Sequence, residues 1–333
     1  MPVQVAIAQI NSTVGDFAAN TAKIVHFAEQ AQQAGADIVV TPELSLVGYP
    51  PEDLLLRQAF YAKSAEALDA LAIRLAGLVD LHVVVGHPLA RDGQRFNAAS
   101  VLCNGKIIAT YCKEELPNST VFDEKRYFDS CQQACTFSVK GICFALNICE
   151  DTWFPHAPAR AKAAGAQVLL VPNGSPYHMR KQSQRLDVMR ENVTRQGLSI
   201  VYANLIGGQD ELIFDGGSFV LDSQGALCAL LPQFEESLQL VSFDVESGAP
   251  QANPLAPELS LEAQVYKALV LGVRDYIGKN GFPSVLIGLS GGVDSALCKH
   301  SAFVYRTSTS TGHQLACTMW SSDRCLHEIL NST

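Results

Sequence analysis

Through the first 245 residues, apolar runs of strand length alternate with stretches of helical period, and that alternation confines the chain to the α/β class. Val3 to Ile10 reads as a strand, Ala18 to Ala34 as an amphipathic helix, and Ile38 to Val40 as a strand that stops at Thr41-Pro42-Glu43. Helical period returns from Tyr61 to Leu78, followed by a strand over Val83 to Gly86. Ala98 to Thr110 reads as a hairpin folded about Asn104-Gly105. The pattern continues with strands at Ile142 to Ile148, Val168 to Val171 and Ser199 to Asn204. Helices are expected near Ala157 to Ala164 and from His178 to Gln196, and a last hairpin at Ser223-Gln224-Gly225. Mixed strands with helices on the outer faces predict an α/β sandwich rather than a barrel. Residues 246–257, with three prolines and little apolar pattern, read as a linker.

Composition narrows the function classes. A net charge of −9 argues against a nucleic-acid partner. No apolar run approaches the length that spans a membrane, and the N-terminus begins directly as a strand without a basic leader, so a cytoplasmic protein is expected. Ten cysteines scattered through core-like segments fit reduced thiols better than a disulfide framework. Cys131 and Cys135 lack a second pair, and no metal site is expected.

Three strand ends carry polar residues that packing does not account for. Glu43 follows the strand ending at Val40, Lys113 follows the second strand of the hairpin, and Cys149 closes the strand from Ile142 and precedes Glu150 and Asp151. Taken singly, such residues are ordinary caps, surface charges or small core groups. Ligands, however, gather at the carboxyl ends of strands in α/β proteins. A thiol, a carboxylate and an ammonium brought together there would make a nucleophile with its own base.

The order and surroundings of Glu43, Lys113 and Cys149 resemble the carbon–nitrogen hydrolase (nitrilase) superfamily. The likeness includes Pro42-Glu43-Leu44, Lys113-x-x-Leu116-Pro117-Asn118, Val121 to Phe128 and Cys149-Glu150-Asp151-x-Trp153. It implies a nitrilase-like α-β-β-α sandwich over residues 1–245, with Glu43 as general base and then acid and Cys149 as nucleophile. Lys113 would stabilise the oxyanion, joined by a backbone N–H near residue 150, and would favour the thiolate of Cys149.

Near the C-terminus, Ser290-Gly291-Gly292-Val293-Asp294-Ser295 lies between the apolar run Val285 to Leu289 and Ala296-Leu297. Adjacent glycines there would let backbone N–H groups close on phosphate oxygens at a helix N-terminus. The hexapeptide resembles the signature loop of the ATP pyrophosphatases, which implies nucleotide contacts from Gly288, Leu289, Ser290, Gly291, Gly292, Val293, Asp294 and Ser295. A hydrolase domain followed by this loop resembles the glutamine-dependent NAD synthetases, as do Gly48 to Leu55 and Asn173 to Tyr177. That resemblance implies glutamine as the ammonia source, no cofactor for its hydrolysis, and ATP with Mg for amidation of deamido-NAD. It also implies a homo-oligomer. Ser175 and Lys181 would hold glutamine, Glu124 would bind its α-amino group or orient Lys113, and Tyr49 would wall the pocket. Lys181 also stands beside Arg180 and Arg185 on a charged helix, where it could be solvated.

The chain departs from that family in two places. Ser119 stands where the family has a tyrosine that helps bind glutamine, so Ser119→Tyr is expected to tighten glutamine binding by about 1 to 2 kcal/mol, read as a lower KM. Residues 258–297 read as the beginning of a Rossmann-like nucleotide-binding domain, but residues 298–333 show neither a strand-length apolar run nor helical period. They read as an aberrant tail, and a truncation or frame change just after Leu297 is expected, with the synthetase step lost. Three functions remain open at this point: the glutaminase half of an NAD synthetase, a free-standing amidase or nitrile hydrolase, and a non-catalytic assembly module.

Overall fold

The computed structural model describes residues 2–118, 121–289 and 314–319, together with Gly292, Ser295 and Leu297. Ser119, Ser290, Gly291, Val293 and Asp294 lie outside the described residues.

Two six-stranded sheets face each other. The first follows the order β14-β1-β2-β3-β4-β5, formed by Ser237–Phe243, Val3–Gln9, Ile38–Val40, His82–Arg91, Gln94–Cys103 and Lys106–Cys112. The second follows β13-β12-β9-β8-β7-β6, from Leu227–Leu230, Phe219–Leu221, Ser199–Asn204, Val168–Asn173, Ile142–Leu146 and Thr136–Val139. Between them, Val5, Ile7, Ile38, Val40 and Val84 meet Phe144, Leu146, Val168, Leu170 and Val201 in one buried core. The opposite faces of the same strands are also covered. Ala6, Ala8, Val39 and Val83 pack under helices α1 (Phe17–Gln33) and α2 (Gln58–Leu75). Leu169, Val171 and Ile200 pack with Ala161 of α3 (His156–Ala163) and with Met189 and Val193 of α4 (Lys181–Gln196). Central strands buried on both faces are apolar at most positions, which is why they read as near-continuous runs. The result is the expected four-layer α-β-β-α sandwich.

Differences from the sequence reading fall where the polar pattern is strong. Helix α4 starts at Lys181 rather than near His178, after Arg180 in a left-handed conformation (φ 66°). A short hairpin of β10 (Ile206–Gln209) and β11 (Leu212–Asp215) follows β9 and was not expected. The supposed linker is tied down: the N–H groups of Gln251, Asn253 and Ala256 donate to the carbonyls of Ser242, Cys228 and Leu230.

Helix α5 (Leu261–Lys279) packs against the β10–β11 hairpin, and glycines set how closely. A Cβ on Gly208 would stand 3.1 Å from the Gly272 Cα, and one on Gly272 would stand 2.7 Å from the Ile213 Cδ1. The contact buries Asp275, whose Oδ2 accepts from Asn11 Nδ2 at 2.6 Å and from the Gly208 N–H at 2.8 Å. Lys279 Nζ donates to the carbonyls of Ser12 and Gly208, and burial pulls its pKa down to about 8 despite Asp275 nearby. Strand β15 (Ser284–Leu289) follows α5. It pairs in parallel with β16 (Gln314–Met319), so the stretch read as lacking a strand contains one. Its sequence, Gln-Leu-Ala-Cys-Thr-Met, is too mixed to stand out as an apolar run.

Candidate active site

Glu43, Lys113 and Cys149, each from a different strand end, converge at one edge of the sandwich and are 0%, 1% and 5% exposed. Glu43 sits on a tight turn after β2, where its carbonyl carbon would lie 2.9 Å from any Cβ at position 86 on β3, so Gly86 is required for the approach. Cys149 opens a short 3-10 turn (Cys149–Trp153) with φ 44°, a left-handed value that β-carbon sterics disfavour. Asp151 holds that turn in place. Its buried carboxylate accepts from the N–H groups of Ile148 (2.8 Å), Glu114 (3.0 Å) and Glu115 (2.8 Å) and from the Tyr111 hydroxyl (2.9 Å). One side chain therefore fastens the cysteine turn to the segment that follows Lys113.

Around Lys113 the three-residue reading becomes a larger cluster. Lys113 Nζ donates to Glu43 Oε1 at 2.7 Å and lies 2.9 Å from both oxygens of Glu124. Glu43 also accepts from Asn97 Nδ2 on Oε1 (2.7 Å) and from the Gly174 N–H on Oε2 (2.8 Å). The Tyr49 hydroxyl donates to Glu124 Oε1 at 3.1 Å. Burial opposes the charge on Lys113, but Glu124 and Glu43 outweigh it and hold the ammonium well above its ordinary pKa. Burial raises Glu124 to about 7 despite Lys113. The Cys149 thiol is also pushed well up, first by burial and then by Glu43, with Lys113 pulling the other way. Lys113 favours the thiolate, while burial and the neighbouring Glu43 carboxylate favour the protonated thiol, whose proton lies within the reach of that base.

Cys149 opens onto a cavity of about 480 Å³ lined by Val121, Phe122, Glu150, Trp153, Ser175, Lys181 and Leu212, among others. Lys181 is not simply solvated. Its ammonium lies 4.3 Å from the centroid of the Trp153 ring, in the cavity wall, and burial lowers its pKa. Ser175 follows the Gly174 amide that binds Glu43, so the cavity wall and the base share one loop. Tyr49 stands against the same loop, its ring 3.1 Å from where a Cβ on Gly174 would lie. It lies behind Glu124 and lines a smaller void there with Leu44, Phe122 and Tyr127, not the cavity that Cys149 opens onto. Both Glu124 oxygens face Lys113, which suits the orienting alternative better than contact with an α-amino group.

Asn97 and Arg185 are the residues that the sequence reading missed at this site. Asn97 sits mid-strand in β4 and gives no motif signal. Arg185 belongs to a helix that looks charged and solvent-facing, yet it is fully buried. Of the nucleotide-loop positions, Gly288 and Leu289 end β15, and the Ser295 hydroxyl donates to the Gly292 carbonyl at 3.0 Å. No group of three His, Cys, Asp or Glu among the described residues could hold a metal ion. Nor is any helix among them long and apolar enough to cross a membrane.

Residues 4–253 match the carbon-nitrogen hydrolase family. The chain belongs to that family. As a carbon–nitrogen hydrolase it is an enzyme by kinship, and residues 265–308 match a second family, NAD synthase. A glutamine-dependent NAD(+) synthetase of Xylella fastidiosa is 43% identical over 300 residues, an alignment covering 89% of this chain and 54% of the relative. The chain thus spans about half the length of the curated relatives it matches. Among solved structures, the glutamine-dependent NAD+ synthetase from Acinetobacter baumannii superposes with a TM-score of 0.87 at 36% identity, covering 96% of this chain and 59% of that one. A mutant amidase from Nesterenkonia sp., bearing the acetamide moiety of fluoroacetamide on its active-site cysteine, superposes at 0.64 with 28% identity. It covers 74% of this hydrolase and 94% of its own chain.

Proposed function

We propose that this site hydrolyses the side-chain amide of glutamine, and that the ammonia serves the ATP- and Mg-dependent amidation of deamido-NAD in a glutamine-dependent NAD synthetase. The observation that carries the reading is the joint placement of Cys149, Ser175 and Lys181 on one cavity, with Glu43 and Lys113 buried behind it. Kinship supports it: the Xylella fastidiosa relative bears that name, and the Nesterenkonia amidase carries an acetamide moiety on its active-site cysteine.

The geometry suits a covalent route. Glu43 has three donors on its two oxygens and a lone pair left on Oε2 for the thiol proton. As that proton moves to Glu43, sulfur attacks the amide carbon and the carbonyl oxygen becomes an oxyanion. Neutral Glu43 then grips Lys113 less tightly, so the ammonium charge becomes available to the oxyanion at the step that creates it, alongside the Glu150 N–H. Glu43 next gives the proton to the departing nitrogen and ammonia leaves. Water, deprotonated by the same carboxylate, cleaves the thioester and restores the thiol.

The test is ammonia release by a polypeptide of these 333 residues from glutamine, asparagine and acetamide. Glutamine is expected to be turned over at least about tenfold more efficiently than either competitor, since acetamide has no α-groups and asparagine, one methylene shorter, holds its own short of the Ser175 and Lys181 side of the cavity. A preference for acetamide would favour the free-standing amidase.

The Glu124 carboxyl at about 7 gives a pH signature. Below that value Glu124 takes a proton, Lys113 keeps only Glu43 as an anionic partner, and the tightened pair makes Glu43 a poorer base. kcat/KM is expected to fall with a one-proton slope as pH drops below about 7. Glu124→Gln is expected to lower the plateau and abolish that limb in a pH–rate profile.

A further inference from the structure

We infer that Arg185 and Asp215 form a positioning clamp that sets the Ser175 hydroxyl and the Gly174 amide for the hydrolytic reaction; this rests on the amide-hydrolysis reading above.

Both side chains of this ion pair are completely buried. Arg185 Nη2 donates to Asp215 Oδ1 at 2.8 Å and Nη1 donates to Oδ2 at 3.0 Å, the two-pronged geometry that fixes a guanidinium in its plane. Nη1 also donates to Gln182 Oε1 at 3.1 Å, while Nε and Nη2 turn to the cavity loop. Nε donates to the Ser175 hydroxyl oxygen at 3.1 Å, while Nη2 also reaches the carbonyls of Ser175 (2.7 Å) and Pro176 (3.1 Å). Asn204 completes the frame, accepting from the Ser175 N–H and donating to the Ser175 carbonyl. A buried ion pair of this kind is a poor device for stability alone, because desolvation offsets most of the attraction. Here it spends its donors on a loop that lines the substrate cavity on one side and supplies the Gly174 N–H to Glu43 on the other.

The direction of the Nε bond matters. The Ser175 oxygen is an acceptor toward Arg185, which turns the hydroxyl proton away from the guanidinium and leaves it as the donor of that side chain. Asp215 closes strand β11, whose Leu212 lines the same cavity and whose Ile213 packs on Gly272 of α5. The clamp therefore stands between the cavity and the strand on which α5 rests. Lysine could not replace arginine here, since a single ammonium cannot hold the carboxylate by two bonds and reach three acceptors on the loop.

A double-mutant cycle on the 333-residue polypeptide tests the clamp. Arg185→Lys and Ser175→Ala are each expected to raise KM for glutamine about tenfold, with a smaller loss in kcat, and the double variant to be no worse than the weaker single one. Independent, multiplying effects would overturn the clamp, as would wild-type kinetics in Arg185→Lys. Thermal unfolding checks that each variant folds. If Arg185→Lys does not, Asp215→Asn takes its place in the cycle, with the same two outcomes. The rate of Cys149 alkylation by iodoacetamide is measured in parallel as a readout that does not need glutamine. Coupled losses in alkylation, in a wild type that releases no ammonia from glutamine, would sink the glutamine reading and leave the clamp standing. Glutamine turnover with uncoupled losses would do the reverse.

Discussion

Lys113→Ala is expected to destabilise the hydrolase domain by about 3–5 kcal/mol, besides lowering glutamine turnover by about 10³-fold. Lys113 is the ammonium within hydrogen-bond reach of both Glu43 and Glu124, which are themselves buried. Removing it leaves two carboxylates in low dielectric. Asn97, Gly174 and Tyr49 can still donate to them, but none brings a positive charge. The pH dependence gives the mechanism away. Glu124 already holds its proton up to about 7 in the folded protein, against 4.5 ordinarily, and its pKa must climb further without Lys113. The folded state then binds more protons than the unfolded chain across that window, so stability falls as pH rises through it. Thermal unfolding of Lys113→Ala is therefore expected to lie roughly 10 °C below the parent at pH 8, with a smaller gap at pH 5. A gap that is constant with pH would show that packing, and not the uncompensated carboxylates, dominates.

The same cluster shows what the sequence can and cannot disclose. Glu43, Lys113 and Cys149 each stand at a strand end, where any one alone reads as a cap, a surface charge or a small core group, and they are legible because their order and flanking residues together resemble the carbon–nitrogen hydrolases. The central strands are legible for a different reason, since burial on both faces keeps most of their positions apolar. Asn97 is hidden because its value depends on two carboxylates brought from 54 and 27 residues away. Arg185 is hidden more thoroughly. On a helix carrying Arg180, Lys181, Asp187, Arg190 and Glu191, one further arginine reads as part of a solvated face, and only the position of Asp215 on an unexpected hairpin takes it inside. Helix α5 was counted with the second domain from the motif that follows it. Its contact with β10–β11 depends on two glycines, Gly208 and Gly272, whose meaning lies in what approaches them. The supposed linker is opaque in the same way: its prolines and glycine say that it turns, not that the N–H groups of Gln251, Asn253 and Ala256 are taken up by β13 and β14.

Cys149→Ala is expected to abolish ammonia release from glutamine, lowering kcat by at least about 10⁴-fold, while leaving the protein folded. The size of the loss follows from the route. Without sulfur no thioester forms, and the remaining groups must direct water at an amide whose carbonyl is a weak electrophile. Folding should survive because the resting group is a neutral thiol, held so by burial and by Glu43, and its removal strands no charge. The turn itself rests on Asp151 and on the Thr152 hydroxyl, which donates to the Cys149 carbonyl at 2.8 Å, and neither contact involves sulfur. The left-handed backbone at Cys149 is tolerated equally by alanine, so the variant inherits the same strain, on the order of 1 kcal/mol, and adds none. Glutamine should still bind, because Ser175 and Lys181 are untouched. Calorimetric titration of Cys149→Ala with glutamine is therefore expected to show binding without heat from turnover, with a Kd within a few-fold of the parent KM. Loss of binding together with turnover would mean that the substrate is recognised through the thiol itself, and that Ser175 and Lys181 face the cavity without holding what enters it.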